Sequence, residues 1–169
     1  MNLVNHLKEN IFTAMEKPDP RPKICLICSA GGHFKQILKL EAFYKKHNYF
    51  FVMFYKEGIR NFIRKEPVYL VMNPERNPLR FLFHFIQIVR IFFKERPNVI
   101  ISTGAGVAVG MCYLGRIFGK KVIFIEDWCN ISKPSLTGRL IYPIASLFII
   151  QHKKMLRYYP EAIYGGSLF

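Results

Sequence analysis

The chain has 169 residues, with 25 Lys plus Arg against 11 Asp plus Glu, a formal net charge of +14 and 51% hydrophobic residues. That length suits one domain with a core of its own and excludes two full nucleotide-binding domains with a cleft between them. The apolar content excludes a disordered basic tail, and the charge implies an anionic partner: phosphates, nucleic acid or an anionic membrane surface.

Residues 1–22 read as a lead-in. Leu3, Val4, Leu7, Ile11 and Phe12 give it an amphipathic pattern, and Pro18, Pro20 and Pro22 close it as a linker. It is either a second, weaker membrane anchor or a disordered segment, and it lacks the pattern of a signal peptide. The domain proper is expected over 23–169. No run of eighteen apolar residues interrupts it, so no standard transmembrane helix is predicted.

From Lys23 on, short β-branched runs alternate with longer helical ones. Ile24–Ser29 reads as a strand, Phe34–Lys46 as an amphipathic helix, Tyr49–Phe54 and Val68–Val71 as strands, and Leu79–Glu95 as a long helix. Val99–Ser102 is a strand, followed by a helix from about Val107 to Phe118. Lys121–Ile125 is a strand, Gly138–Ile144 a short helix, Leu147–Ile150 a strand, and Lys154–Tyr158 a brief helical stretch. Continuous apolar strands separated by helices mean a parallel sheet covered on both faces. The expected fold is α/β, a Rossmann-like doubly wound sheet. Cys25 and Cys28 have the spacing of a metal or redox pair. On a strand, however, i and i+3 point to opposite faces, and no second Cys/His pair completes a zinc set. Both are expected in the core of a reduced protein.

In such a sheet ligands bind beyond the carboxyl ends of the strands, where strand order reverses. Four loops leave strands at that edge: Ala30–His33, Thr103–Gly106, Glu126–Gly138, and the segment after Ile150. Gly31 and Gly32 let backbone approach a ligand closely at a helix start, which favours an anion. The loop is not GxGxxG, and Lys56 rather than an acid follows the second strand, so no dinucleotide cofactor is expected. His33 is either a general base toward a hydroxyl or a helix-capping histidine. Thr103, Gly104 and Gly106 form either an oxygen or phosphate cradle or a tight packing turn. Glu126 and Asp127 close an apolar strand; Ser135 or Thr137 caps a short helix, and Arg139 offers a bidentate fork.

Taken in order, Ser29-Ala30-Gly31-Gly32-His33, Ser102-Thr103-Gly104-Ala105-Gly106-Val107, Glu126, Ser135-Leu136-Thr137-Gly138-Arg139-Leu140-Ile141-Tyr142-Pro143 and the Phe148–Phe169 segment resemble a known family. It is that of the membrane-associated subunit of the two-part UDP-N-acetylglucosamine transferase of asparagine-linked glycosylation, with its bacterial PssD-type relatives of capsule and exopolysaccharide synthesis. The resemblance implies the N-terminal, acceptor-binding half of a GT-B glycosyltransferase, inactive without a small donor-binding subunit that holds the UDP-sugar. It implies transfer to a polyprenyl-diphosphate-linked sugar at the cytosolic membrane face, and a chain that breaks off where the hinge to the donor domain would begin. By position it puts Gly31, Gly32 and His33 at the acceptor diphosphate, Thr103, Gly104 and Gly106 in the second glycine loop, and Glu126 at the strand end near His33. Ser135, Thr137 and Arg139 fall in the substrate-binding segment. Many members carry Glu-Ser-x-x-Arg; here Asp127 and Asn130 stand where the serine and arginine would be. Displacement without metal is expected, because no Asp-x-Asp pair is present, and no cofactor is expected. The alternative is a non-catalytic membrane scaffold for a soluble transferase. Nucleic-acid binding has only charge in its favour, without a recognised module.

In the long helix, Arg80, His84, Gln87, Arg90 and Lys94 line one narrow stripe, and apolar side chains cover the rest. At about sixteen residues it is roughly 24 Å long, short of a hydrocarbon core of about 30 Å. It reads as an interfacial helix, with Arg80, Phe81, Phe85, Ile88 and Phe92 on the membrane, or else as a helix buried in the fold or covered by a partner.

Overall fold

A computed structural model describes residues 22–73, 75 and 77–168. The amphipathic lead-in from Leu3 to Pro20 and the last residue, Phe169, lie outside them.

The chain opens with β1 (Lys23–Ile27), whose apolar residues are almost all fully buried. Two short helices follow, α1 (Gly32–Leu38) and α2 (Glu41–Tyr44). Next come β2 (Asn48–Met53), α3 (Arg60–Ile63) and β3 (Val68–Leu70). The long helix is α4 (Pro78–Glu95), begun by Asn77, whose side chain accepts from the Leu79 and Arg80 amides, and by Pro78. Then come β4 (Val99–Ser102), α5 (Val107–Ile117), β5 (Lys121–Ile125) and α6 (Leu136–Ile141) with a 3-10 turn over Tyr142–Ile144. The described chain ends through β6 (Leu147–Ile150), a 3-10 segment Lys153–Arg157 and β7 (Ile163–Tyr164).

The seven strands form one sheet in the order β3-β2-β1-β4-β5-β6-β7, and every pair is parallel. Strand order reverses at β1, which pairs with β2 on one side (Ile24 opposite Tyr49) and with β4 on the other (Ile24 opposite Val99). Each parallel connection crosses over a face of the sheet. Phe34, Ile37, Leu40, Phe43 and Tyr44 of the α1–α2 region pack on one face. Ile88, Ile91 and Phe92 of α4, Ala108 and Met111 of α5, and Ile141 of α6 pack on the other. This is the doubly wound Rossmann-like arrangement read from the sequence. Cys25 lies in one core and Cys28 in the other, as strand alternation requires. Burial pushes both thiols up in pKa, and Cys112 up to about 12.

The expected single helix Phe34–Lys46 is corrected to two. At Leu40 the backbone turns out of the helix (φ −90°, ψ 9°), and the break buries Leu40, Phe43 and Tyr44 together. The short α3 and β7 were not foreseen: four and two residues carry no periodicity.

Candidate functional site

The carboxyl ends of β1, β4, β5 and β6 meet at the reversal of strand order, and polar residues concentrate there inside an otherwise apolar fold. Ser102, Thr103, Glu126, Gln36 and Gln151 are all buried.

The loops after β1 and β4 clasp each other. The Thr103 hydroxyl donates to the His33 carbonyl at 2.8 Å, and His33 Nδ1 lies 2.8 Å from the Thr103 carbonyl oxygen. A carbonyl only accepts, so Nδ1 carries the hydrogen and Nε2 of the neutral ring keeps its lone pair. The ring packs against Gly104, where a Cβ would come within 2.7 Å of Cε1. Gly104 has φ +123°, which also favours glycine there. Ala105 beside it is held at φ +75°, a strained conformation for an L-residue. Above the other side of the clasp, Gly31 (φ +149°), Gly32 and Gly106 face open space. Next to Gly31 a cavity of about 400 Å³ is lined by the apolar Phe34, Leu38 and Ile59 and by three charged residues, Lys35, Lys56 and Glu57.

The carboxylate within reach of His33 is Asp127, with Oδ2 3.6 Å from Nδ1. Its Oδ1 accepts from Gln36 Nε2 at 2.6 Å and from the Cys129 amide at 3.2 Å. Gln36 is fixed in turn, its Oε1 accepting from Gln151 Nε2 at 2.7 Å and from the Trp128 amide at 3.3 Å. Gln151 Nε2 also donates to the Glu126 carbonyl at 2.9 Å, and its Oε1 accepts from the Leu168 amide.

Glu126 stands one residue away but serves a different cluster. Its carboxylate accepts from Asn130 Nδ2 and from the Tyr159 hydroxyl, each at 2.8 Å, and more weakly from the Asp127 amide at 3.3 Å. Burial, and then the neighbouring Glu126 charge, push the Tyr159 hydroxyl well up in pKa, so it remains a donor. Helix α6 closes over this pair at Gly138, whose amide donates to the capping Ser135 hydroxyl at 2.8 Å. A Cβ at Gly138 would overlap a Glu126 oxygen.

The sequence-predicted residues thus fall into two groups. Gly31, Gly32, His33, Thr103 and Gly104 come together, with Gly106 at the edge of the same loop. Glu126 and Ser135 belong to the α6 cluster, beside the half-buried Thr137 and the exposed Arg139. Glu126 was expected near His33, to orient it or the acceptor; the carboxylate beside His33 is instead Asp127, and Glu126's oxygens face Asn130 and Tyr159. The hydroxyls of Thr103 and Ser135 are committed to a loop clasp and a helix cap. Gln36 and Gln151 went unnoticed; the one signal was an amide on an apolar face, as in Phe148-Ile149-Ile150-Gln151. Of the membrane residues, Ile88 and Phe92 are 0% and 3% exposed and point into the core, which corrects that assignment. Phe81 and Phe85 are partly exposed flanking residues, and Arg80 is exposed and paired with Glu75 at 2.5 Å. His84, the centre of the expected polar stripe, is buried between the Met72 and Val107 carbonyls.

Residues 75–168 match the model of a family described as "Oligosaccharide biosynthesis protein Alg14 like". The chain belongs to that family. Among curated Alg14 relatives, the UDP-N-acetylglucosamine transferase subunit ALG14 of Candida albicans is 35% identical over 93 residues, covering 52% of this chain and 42% of the relative. The subunit of the same name from Yarrowia lipolytica is 27% identical over 90 residues, 50% of this chain and 42% of that protein. The matched stretch thus covers well under half the length of these Alg14 relatives. The family-model match, residues 75–168, contains the Thr103–Gly106 loop and the Glu126–Arg139 segment and begins after the His33 loop, whose place in the site comes from the fold. Among solved structures, MurG of Acinetobacter baumannii aligns with TM-score 0.63 at 14% identity, over 79% of this chain and 42% of that one. A UDP-N-acetylglucosamine 2-epimerase from Rickettsia bellii aligns with TM-score 0.68 at 12% identity, over 88% and 45%. At such identities the likeness concerns the fold alone: one Rossmann-like half of a GT-B chain.

Proposed function

We propose that the chain is the acceptor-side subunit of a UDP-sugar glycosyltransferase. It acts on a polyprenyl-diphosphate-linked sugar at the cytosolic face of a membrane, and a separate small subunit holds the sugar nucleotide. The observation that carries this reading is His33, whose Nδ1–H is tied to the Thr103 carbonyl so that Nε2 is left as a base at the reversal of strand order. The family membership and the relatives' name, a UDP-N-acetylglucosamine transferase subunit, support the donor class and the need for a second subunit.

In this mechanism an acceptor sugar hydroxyl attacks the anomeric carbon of the donor. As that C–O bond forms, the bond from the anomeric carbon to the diphosphate oxygen breaks, and its electron pair leaves with UDP. The hydroxyl proton passes to His33 Nε2, and Asp127 steadies the imidazolium from the Nδ1 side. The acceptor's diphosphate is assigned to the cavity beside Gly31, where Lys35 and Lys56 outnumber the one carboxylate, Glu57, and Phe34, Leu38 and Ile59 meet the first isoprene units.

The test is co-expression with the small donor-binding subunit and assay of UDP-sugar transfer to a polyprenyl-diphosphate-sugar. His33→Ala is expected to lower turnover by about 10²–10⁴-fold. Full turnover in that variant would leave only a scaffold role, and the absence of both complex and transfer would refute the reading.

A further inference from the structure

Helix α4 has an inner and an outer pole. The inner one carries Ile88, Ile91 and Phe92, packed on the sheet. Half a turn round, at 100° per residue, the outer pole carries Leu79, Leu82, Phe83, Ile86 and Phe93, which are 39–69% exposed. A helix laid on a sheet ordinarily turns charged residues outward; α4 turns five large apolar ones. The exposed Ile117 and Phe118 at the end of α5 add to the same kind of surface.

At the carboxyl end of α4 this surface leads into a cavity of about 320 Å³. Its walls are the rings of Phe92, Phe93 and Phe118, with centroids 5.2–5.6 Å apart. Arg96 and Lys120 complete it. Among the described residues, neither these two cations nor Arg90 on the helix is paired with an acid. The nearest acid in sequence, Glu95, is turned to Lys23 and Tyr69. An occupant must therefore bring both an apolar surface and negative charge.

We propose that the outer pole of α4 docks on an anionic phospholipid bilayer, with one lipid phosphate seated between Arg96 and Lys120 and the adjoining glycerol against Phe93 and Phe118. The helix lies in the plane of the interface, since no helix among the described residues is long and apolar enough to cross. The proposal deepens the membrane-surface reading above and rests on it. The lipid-facing residues differ from those expected from the sequence: Phe83, Ile86 and Phe93 take the place of Ile88 and Phe92.

The test is flotation of the full chain with vesicles of phosphatidylcholine alone and of phosphatidylcholine with about 30 mol% phosphatidylglycerol. Binding is expected to the anionic vesicles and at least ten-fold more weakly to the neutral ones. The triple variant Phe83→Ser, Ile86→Ser, Phe93→Ser is expected to lose at least ten-fold in binding while it still unfolds cooperatively on heating; Phe83→Ser with Ile86→Ser alone, which spares the Phe92 and Phe118 contacts, is expected to lose binding as well. Arg96→Glu with Lys120→Glu is expected to remove the preference for anionic lipid. Inorganic phosphate at matched ionic strength is expected to leave vesicle binding intact; displacement by phosphate would overturn the lipid assignment. Absence of vesicle binding, or undiminished binding by the triple variant, would overturn the proposal. So would a dimer of the wild type that the triple variant dissolves with vesicle binding unaltered. Transfer to a short-chain, water-soluble acceptor by the reconstituted pair separates the two readings. Retained transfer without vesicle binding sinks the docking face alone, and vesicle binding without transfer sinks the transferase reading alone.

Discussion

Gly138→Ala is the sharpest single test of how the α6 cluster is built. The added Cβ would overlap a Glu126 carboxylate oxygen and come within 2.6 Å of the Tyr159 hydroxyl and 2.8 Å of the Ser135 hydroxyl. Three hydrogen-bonded side-chain oxygens meet there, two of them on buried residues, so none can yield without giving up a hydrogen bond. Losing the Tyr159–Glu126 bond costs about 1.5–3 kcal/mol, because the acceptor is charged. Weakening the Ser135 cap adds about 1 kcal/mol. Against these, alanine in place of glycine inside a helix returns about 1 kcal/mol. The net expectation is a loss of about 1.5–3 kcal/mol. With an m-value of about 2 kcal/mol/M, the urea midpoint falls by about 0.8–1.5 M. Gly106→Ala is the control, since its Cβ meets nothing within 4 Å and its φ is −58°; its midpoint is expected to stay near the wild-type value. Equal midpoints for Gly138→Ala and Gly106→Ala would refute the reasoning.

Asp127→Asn is expected to lower kcat of the reconstituted pair by about ten-fold or more with little change in acceptor KM, as for a group that matters when charge develops on His33; an equal loss in Glu126→Gln, with its fold intact, would contradict the separation of the two carboxylates. Replacing Lys35 and Lys56 by glutamate is expected to raise the acceptor KM at least ten-fold with kcat little changed, and steady-state kinetics read this directly. His84 is held below the usual histidine pKa by burial, against the smaller opposing pull of the Met72 and Val107 carbonyls. The fold therefore favours the neutral ring: this contribution is complete above the unfolded value of about 6.5 and is lost as pH falls below it. Urea unfolding at pH 7.5 and 5.5 is expected to show a larger loss for the wild type than for His84→Gln. A thiol reagent is expected to label Cys129 alone in the native protein and all four cysteines in denaturant, since Cys25, Cys28 and Cys112 are buried.

The sheet was legible because each central strand is a short unbroken apolar run, and the site's location because glycines and hydroxyls follow those runs. The wiring of the site was not. Glu126 and Asp127 are adjacent in sequence, yet one turns under α6 and the other toward His33, a difference set by Tyr159 and Gln36 from distant parts of the chain. The same holds for α4. Its periodicity reveals an excess of apolar surface, but only packing against β1 and α5 decides which part of that excess points outward. Leu40 shows a third limit: a helical pattern continues through it, and tertiary burial breaks the helix there.

The position of β1 has a consequence for synthesis. It is the first strand made among the described residues, yet its β4 partner emerges 75 residues later. At about 5–20 residues per second, that leaves one apolar edge of the future sheet centre open for roughly 4–15 s on the ribosome. During that interval only β1, β2 and β3 of the seven described strands have been made, and the reversal point where His33 will sit is still an open flank. The loop clasp between His33 and Thr103 can therefore close only after that delay, so the site is assembled last from parts made early and late.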